Sequence, residues 1–186
     1  MAYDLSALKV LVVDDNAHMH QIMRSILGAM RIKDVRCVAD LELALKEMAA
    51  WSPDILVADI LIGEHDGLEF IGRIRNGEKG VNPYIPVLVL TGHTERRQIT
   101  RARDVGVHEV LAKPVSIENL YRRFVSMVVN PRPFVRTKAY FGPCRRRQEK
   151  PFQGAERRGS AETEAELVPP VEELEEDIKD SQGQAA

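Results

Sequence analysis

Four short apolar runs in this chain each end in a side chain able to do chemistry. Asp14-Asp15 follow Leu8 to Val13, Asp59 follows Ile55 to Ala58, Thr91 follows Val87 to Leu90, and Lys113 follows Val110 to Ala112. Such runs, bounded by turn-formers, read as strands buried on both faces of a parallel sheet. All carboxyl ends of a parallel sheet lie along one edge, where open α/β sheets bind their ligands. Carboxylates gathered there repel one another unless a cation sits among them. Hard oxygen ligands with room for water suit Mg²⁺. Thr91 adds a hydroxyl donor and Lys113 a point positive charge. Together they make a cradle for a tetrahedral anion beside a metal, which fits phosphoryl transfer. A carboxylate can itself be the nucleophile and become an aspartyl phosphate. Asp59 is the candidate, because its strand is central and the others flank it. A lone Asp at any one of these places would read as a helix cap or a solvated loop residue. The reading rests on the ordered set.

The segments between these strands must return the chain to the start of the next one. Met19, Ile22, Met23, Ile26, Leu27 and Met30 recur at helical spacing. Val35 to Val38 is a further short strand, and Asp40 caps a helix with the stripe Leu41, Ala44, Leu45 and Met48. A third helix starts near Gly67, carries Phe70, Ile71 and Ile74 inward, and stops before Asn76-Gly77. A fourth, about Glu95 to Val105, has Ile99 and Ala102 as its main apolar residues, among Arg96, Arg97, Arg101 and Arg103. Its core face is weak and its outside strongly basic. Ser116 caps a last helix with a clean stripe: Ile117, Leu120, Tyr121, Phe124, Val125 and Val128. Alternating strands and helices predict an α/β fold, a five-stranded parallel sheet with helices on both faces.

The totals set limits. With 44% hydrophobic and 29% charged residues and a net charge of -2, the composition is that of a soluble globular protein. No run is long and apolar enough to span a bilayer, and the N-terminus has no secretory pattern. Cys37 and Cys144 are isolated and form no metal-ligand spacing. A reduced, cytoplasmic protein is the expectation.

Composition changes after residue 130. Residues 1–130 read as the folded domain, and 131–186 as a Pro-rich, charge-split extension without hydrophobic period. Arginines and lysines load its first half, aspartates and glutamates its second. Such a segment is expected to be largely disordered. The basic stretch Arg145 to Arg158, with Tyr140, Phe141 and Phe152 nearby, is a candidate nucleic-acid contact. It has no folded platform, so a flexible linker is the simpler reading and nucleic acid an unfavoured partner.

The motifs Val13-Asp14-Asp15, Asp59, Asp66-Gly67, Thr91-Gly92 and Lys113-Pro114 resemble the receiver domain of two-component response regulators, over about residues 7–129. The resemblance implies the flavodoxin-like receiver fold. It implies that Asp59 takes a phosphoryl group from a histidine kinase, and that Asp14, Asp15, Asp59 and the backbone carbonyl of Leu61 hold Mg²⁺. Thr91 and Lys113 would contact the phosphoryl oxygens. Pro114 would follow a cis bond, which only proline makes inexpensive. Leu61 and His93 occupy the two variable positions that tune hydrolysis in the family. The basic fourth helix and the last helix would carry output to a protein target.

This sequence departs from the family pattern in two places. Ile62-Gly63 replaces a common Met-Pro, and glycine is expected to loosen that loop. Val110 stands where the family has a switch aromatic, which puts a Thr-to-aromatic relay in doubt. The tail also resembles, more weakly, an extension on some small stand-alone regulators of bacterial signalling. The expected function is a stand-alone response regulator signalling by protein contact. The alternatives are a phosphorelay intermediate or phosphate sink, and a regulator that binds nucleic acid through the basic tail. An aspartate-nucleophile phosphatase is disfavoured, because the second Asp it needs two residues on is Leu61.

Overall fold

A computed structural model describes residues 3–92, 96–145 and 166–168. Five parallel strands form the main sheet: β1 (Lys9–Val13), β2 (Asp34–Val38), β3 (Ile55–Asp59), β6 (Val87–Thr91) and β7 (Glu109–Ala112). Their order across the sheet is β2-β1-β3-β6-β7. The strands between β3 and β6 are two short pieces, β4 (Leu61–Ile62) and β5 (His65–Asp66), paired with each other.

Strand alternation explains why the runs are apolar throughout. Leu11, Val13, Leu56, Ala58, Val87 and Val89 face one way, into a core shared with α2 (Leu41–Trp51), α3 (Gly67–Arg75) and α4 (Arg96–Asp104). Val10, Val12, Ile55, Val57, Leu88 and Leu90 face the other way, against α1 (Ala17–Ala29) and α5 (Ile117–Val128). Both faces are covered, so neither set of alternating positions tolerates a polar residue.

Side-chain caps fix four of the helix starts. Asn16, Asp40, Asp66 and Ser116 accept from the amides of His18, Leu43, Leu68 and Asn119. The fourth helix is as weakly seated as its sequence implies. Ala102 is its buried residue, and Ile99 is 44% exposed.

The extension differs from expectation. Phe134–Thr137 (β8) and Tyr140–Pro143 (β9) form an antiparallel hairpin, where the composition predicts disorder from residue 131 onward. The backbone of Glu166–Val168 (β10) pairs antiparallel with β8 as a third strand. The hairpin seats on the domain through an aromatic cluster. Phe134 is buried, with its ring 5.1 Å from Tyr84 and 5.4 Å from His108. Phe141 lies 5.1 Å from Tyr84, and the Arg75 guanidinium 5.4 Å from the Phe134 ring. Arg132 donates to the carbonyls of His108 and Cys144. The remainder of the extension, including most of the basic stretch and the acidic end, lies outside the described residues.

Arg75 and His108 make that seat. Arg75 is buried and donates to the carbonyls of Gly106 at 3.0 Å and Ile85 at 2.8 Å. Burial pushes its guanidinium down to about 9, so it remains a cation at neutral pH. The His108 ring is buried beside it, and its Nδ1 accepts from the Val87 amide at 3.1 Å. Burial, and then the positive charges of Arg75 and Arg132, hold His108 well below the usual histidine range. It is therefore neutral, with Nδ1 as acceptor.

Candidate phosphoacceptor site

The carboxyl ends of β1, β3, β6 and β7 open onto a cleft of about 310 Å³. Asp14, Asp15, Asp59, Leu61, Thr91 and Lys113 line it, so the strand-end residues singled out in the sequence are brought together. The cleft lies where β1 has β2 on one side and β3 on the other, at the point where strand order reverses.

Lys113 organises the acidic side. Its ammonium donates to Asp59 Oδ2 at 2.7 Å and to Asp14 Oδ2 at 3.0 Å. Burial opposes the lysine charge, but the hydrogen bonds it donates to Asp59 and Asp14 outweigh this and hold Lys113 above its usual range. Asp14 is 1% exposed and its second oxygen accepts from the Asn16 amide. Asp59 Oδ1 accepts from the amide of Ile60 at 2.7 Å. Asp15 lines the same cleft, with Oδ2 accepting from the Gly63 amide at 3.0 Å. As placed, the carboxylates do not close around one point, and among the described residues no three His, Cys, Asp or Glu side chains are grouped to hold an ion. Lys113 supplies the positive charge between two of them.

The loop after Asp59 is tighter than its glycine suggests. Gly63 does not loosen it. With φ of +61° it provides the left-handed residue of the turn between β4 and β5, and its amide is fixed on Asp15. Gly67 explains the Asp-Gly motif. Its amide donates to the Ile60 carbonyl at 2.7 Å, and a Cβ there would lie 2.1 Å from the Asp59 carbonyl oxygen. Only glycine lets the start of α3 approach the phosphoacceptor candidate so closely. Asp66, its neighbour, caps α3 with Oδ1 and accepts from Arg101 of α4 with Oδ2 at 2.5 Å. Burial works against the Asp66 charge, but the Arg101 hydrogen bond and the Leu68 amide hold it below the usual carboxylate range.

Thr91 is buried, and its carbonyl accepts from the Lys113 amide at 2.8 Å. The Lys113-Pro114 bond is cis. Leu61 is 62% exposed at the mouth of the cleft. His93 lies outside the described residues. Gln98, from the first turn of α4, also lines the cleft. Sequence reasoning missed it, because its position depends on how α4 tilts and not on any local motif.

Residues 10–124 match the response regulator receiver domain family. The chain belongs to that family. It is a receiver domain of the two-component type, and its motifs fall inside the matched region. It is 29% identical over 127 residues to the response regulator MprA of Mycobacterium tuberculosis, covering 68% of this chain and 53% of that one. It is 26% identical over 113 residues to the probable chemotaxis protein CheY of Rhizobium etli, covering 61% of this chain and 86% of that protein. The structure resembles that of the Vibrio cholerae chemotaxis protein CheY4, with a TM-score of 0.57 and 26% identity, over 63% of this chain and 95% of that one. The chain spans about half the length of MprA. Among the described residues no helix is long and apolar enough to cross a membrane.

Proposed function

We propose that this receiver accepts a phosphoryl group on Asp59 from a histidine kinase and passes the change to a protein target. The carrying observation is the Lys113 ammonium 2.7 Å from Asp59 Oδ2, inside the cleft at the sheet edge. An Asp59 oxygen attacks the phosphorus, and the phosphorus–nitrogen bond of the donor phosphohistidine breaks. The leaving imidazole nitrogen keeps the electron pair and takes a proton from solvent. The new phosphoryl oxygens carry charge into a site where Lys113 already offers a cation and Thr91 a hydroxyl. The backbone amides that hold Asp59, Asp15 and Asp66 fix the acceptor in place, which is most of what phosphoryl transfer asks of a protein.

The donor set suits Mg²⁺ in its chemistry: carboxylate oxygens of Asp14, Asp15 and Asp59, with the Leu61 carbonyl, and no soft ligand. Bound there, the ion would neutralise charge on the transferring oxygens. In the arrangement described, Lys113 takes part of that role.

The target would meet the face formed by α4, β7 and α5, where Ile99 is exposed among arginines. The phosphate-sink and phosphorelay alternatives share the same chemistry at Asp59 and differ only in where the phosphoryl group goes next. For nucleic-acid binding the described residues give little support. Arg145, the one residue of the basic stretch that is described, points to Asp104 at 3.4 Å.

Asp59→Asn keeps the shape and removes the nucleophile. With a phosphorylated histidine kinase and Mg²⁺, the natural chain should take label and Asp59→Asn should not. Label appearing on another residue of the variant would reject the assignment.

A further inference from the structure

The hairpin does more than bury Phe134 against the domain. A groove of about 670 Å³ runs along the α4–β7–α5 face, with Ile99 and Val110 in its apolar part. Val110 is short, and the groove also takes in Thr91. Its charged lining is Arg103, Arg123, Arg132 and Arg145. Arg132 and Arg145 come from the extension, so the groove is a joint product of domain and tail. Among the described residues, Glu109 lies 2.7 Å from Arg123, and Asp104 lies 3.4 Å from both Arg103 and Arg145. Among the described residues, four guanidinium groups line the groove against these two carboxylates.

The third strand of the small sheet gives a direction. Glu166 stands opposite Arg136 and Val168 opposite Phe134, antiparallel. The chain therefore leaves β10 toward the Pro133–Arg132 end of β8, which is the groove's end. Pro169-Pro170 follow in the sequence. Then comes Val171-Glu172-Glu173-Leu174-Glu175-Glu176-Asp177-Ile178. Its apolar residues, Val171, Leu174 and Ile178, are spaced to share one face of a helical turn, with carboxylates around them.

We propose that the chain's own segment 171–178 docks in this groove. Its carboxylates meet the arginine rim and its apolar residues meet Ile99 and Val110. The segment would then occupy the output face and compete with any protein target there. Tethering two prolines from β10 keeps it at high effective concentration, so weak contacts suffice. Exposed ion pairs are individually small, so docking is loose and sensitive to salt. The docking itself does not depend on phosphorylation of Asp59. A failure here leaves that assignment standing, and the reverse also holds.

The test uses the full chain. A variant with Glu172→Gln, Glu173→Gln, Glu175→Gln, Glu176→Gln and Asp177→Asn keeps the length and the apolar residues, and alters nothing within the folded domain. Amide NMR shifts of Ile99, Val110, Leu111 and Arg123 should differ between variant and natural chain at low salt. The difference should vanish near 1 M salt, where the Debye length is about 3 Å. Charge reversal at Arg103→Glu in the natural chain should reproduce the variant's shifts at Ile99 and Val110. Identical low-salt spectra would overturn the proposal. So would differences that scale with protein concentration, which would assign the groove to a second copy, or differences confined to Arg136 and Lys138 on the other side of the hairpin. Unchanged spectra together with binding of an added acidic peptide would give the face to a foreign partner instead.

Discussion

Lys113 Nζ stands 2.7 Å from Asp59 Oδ2, and this ion pair holds the acidic edge of the sheet together. The same ammonium reaches Asp14, which is 1% exposed and would otherwise be a buried, uncompensated charge. Lys113→Met should therefore lower the unfolding free energy at neutral pH by about 1–3 kcal/mol, the usual cost of leaving a buried charged group unpaired. The sign comes from the raised lysine: its contribution is complete below the usual lysine range and is lost only as alkali deprotonates it. Mg²⁺ should restore part of the loss in the variant by binding the folded state, and Asp14→Asn in the same background should abolish that rescue. Denaturant melts with and without Mg²⁺ measure both. A variant as stable as the natural chain at neutral pH would reject the role given to Lys113.

His108 supplies a pH dependence of the opposite kind. It is buried and neutral, with its affinity for a proton depressed below the ordinary value of about 6.5. Below that pH the unfolded chain binds a proton that the folded chain refuses. Stability should fall as pH drops from about 6.5, by up to about 1.4 kcal/mol per pH unit from this residue. His108→Gln should flatten that slope relative to the natural chain, although it costs stability at neutral pH. Equal slopes between about pH 6.5 and 5 in the two proteins would show that the ring takes a proton in place.

The strand-end residues were legible because each is local to its own apolar run, and a parallel sheet then aligns the ends without further information. The caps Asp40 and Ser116 were legible for the same reason. The hairpin was not. Phe134 and Phe141 are too few to make a hydrophobic period, and much of what they pack on is polar in the sequence: Arg75 at the end of a helix and His108 before a strand. Burial of a guanidinium on backbone carbonyls leaves no trace in a hydropathy pattern. Phe134-Val135-Arg136-Thr137 does not alternate apolar with polar, and Lys138-Ala139 holds no Gly, Asn, Asp or Pro to mark a turn, so the hairpin left little local signal among the prolines around it. Likewise Gly63 reads as a loosening residue until its positive φ and its bond to Asp15 place it in a turn.

Leu61 bears on how long the phosphoryl group lasts. It lies at the mouth of the cleft, 62% exposed, and offers an attacking water no hydrogen bond. Leu61→Asn introduces an amide there that can orient the water. Decay of phosphorylated Asp59 should quicken by roughly tenfold, equivalent to about 1.4 kcal/mol of barrier. Decay of label from the purified, phosphorylated proteins measures it. An unchanged or slower rate in Leu61→Asn would show that water is oriented by some other group.

Gly67 tests whether the backbone of α3 sets the position of Asp59. A Cβ at residue 67 would meet the Asp59 carbonyl oxygen at 2.1 Å and the Ile60 carbonyl oxygen at 3.1 Å. Both are backbone atoms and neither can swing aside as a side chain could. Gly67→Ala must therefore push the end of β3 away from α3, or tilt the first turn of α3 and strain the Asp66 cap. Overpacking of this kind costs about 1–3 kcal/mol of stability. The functional loss should be larger than the stability loss implies, because displacement of a nucleophile by about 1 Å can cost on the order of 10²-fold in rate. Gly72→Ala is the control, since a Cβ there meets nothing within 4 Å. Phosphorylation rates measured at a temperature where all the proteins are folded separate the two effects. Gly67→Ala should be slow and Gly72→Ala normal. A Gly67→Ala protein that phosphorylates at the natural rate would mean that the approach of α3 to Asp59 has no part in placing the acceptor.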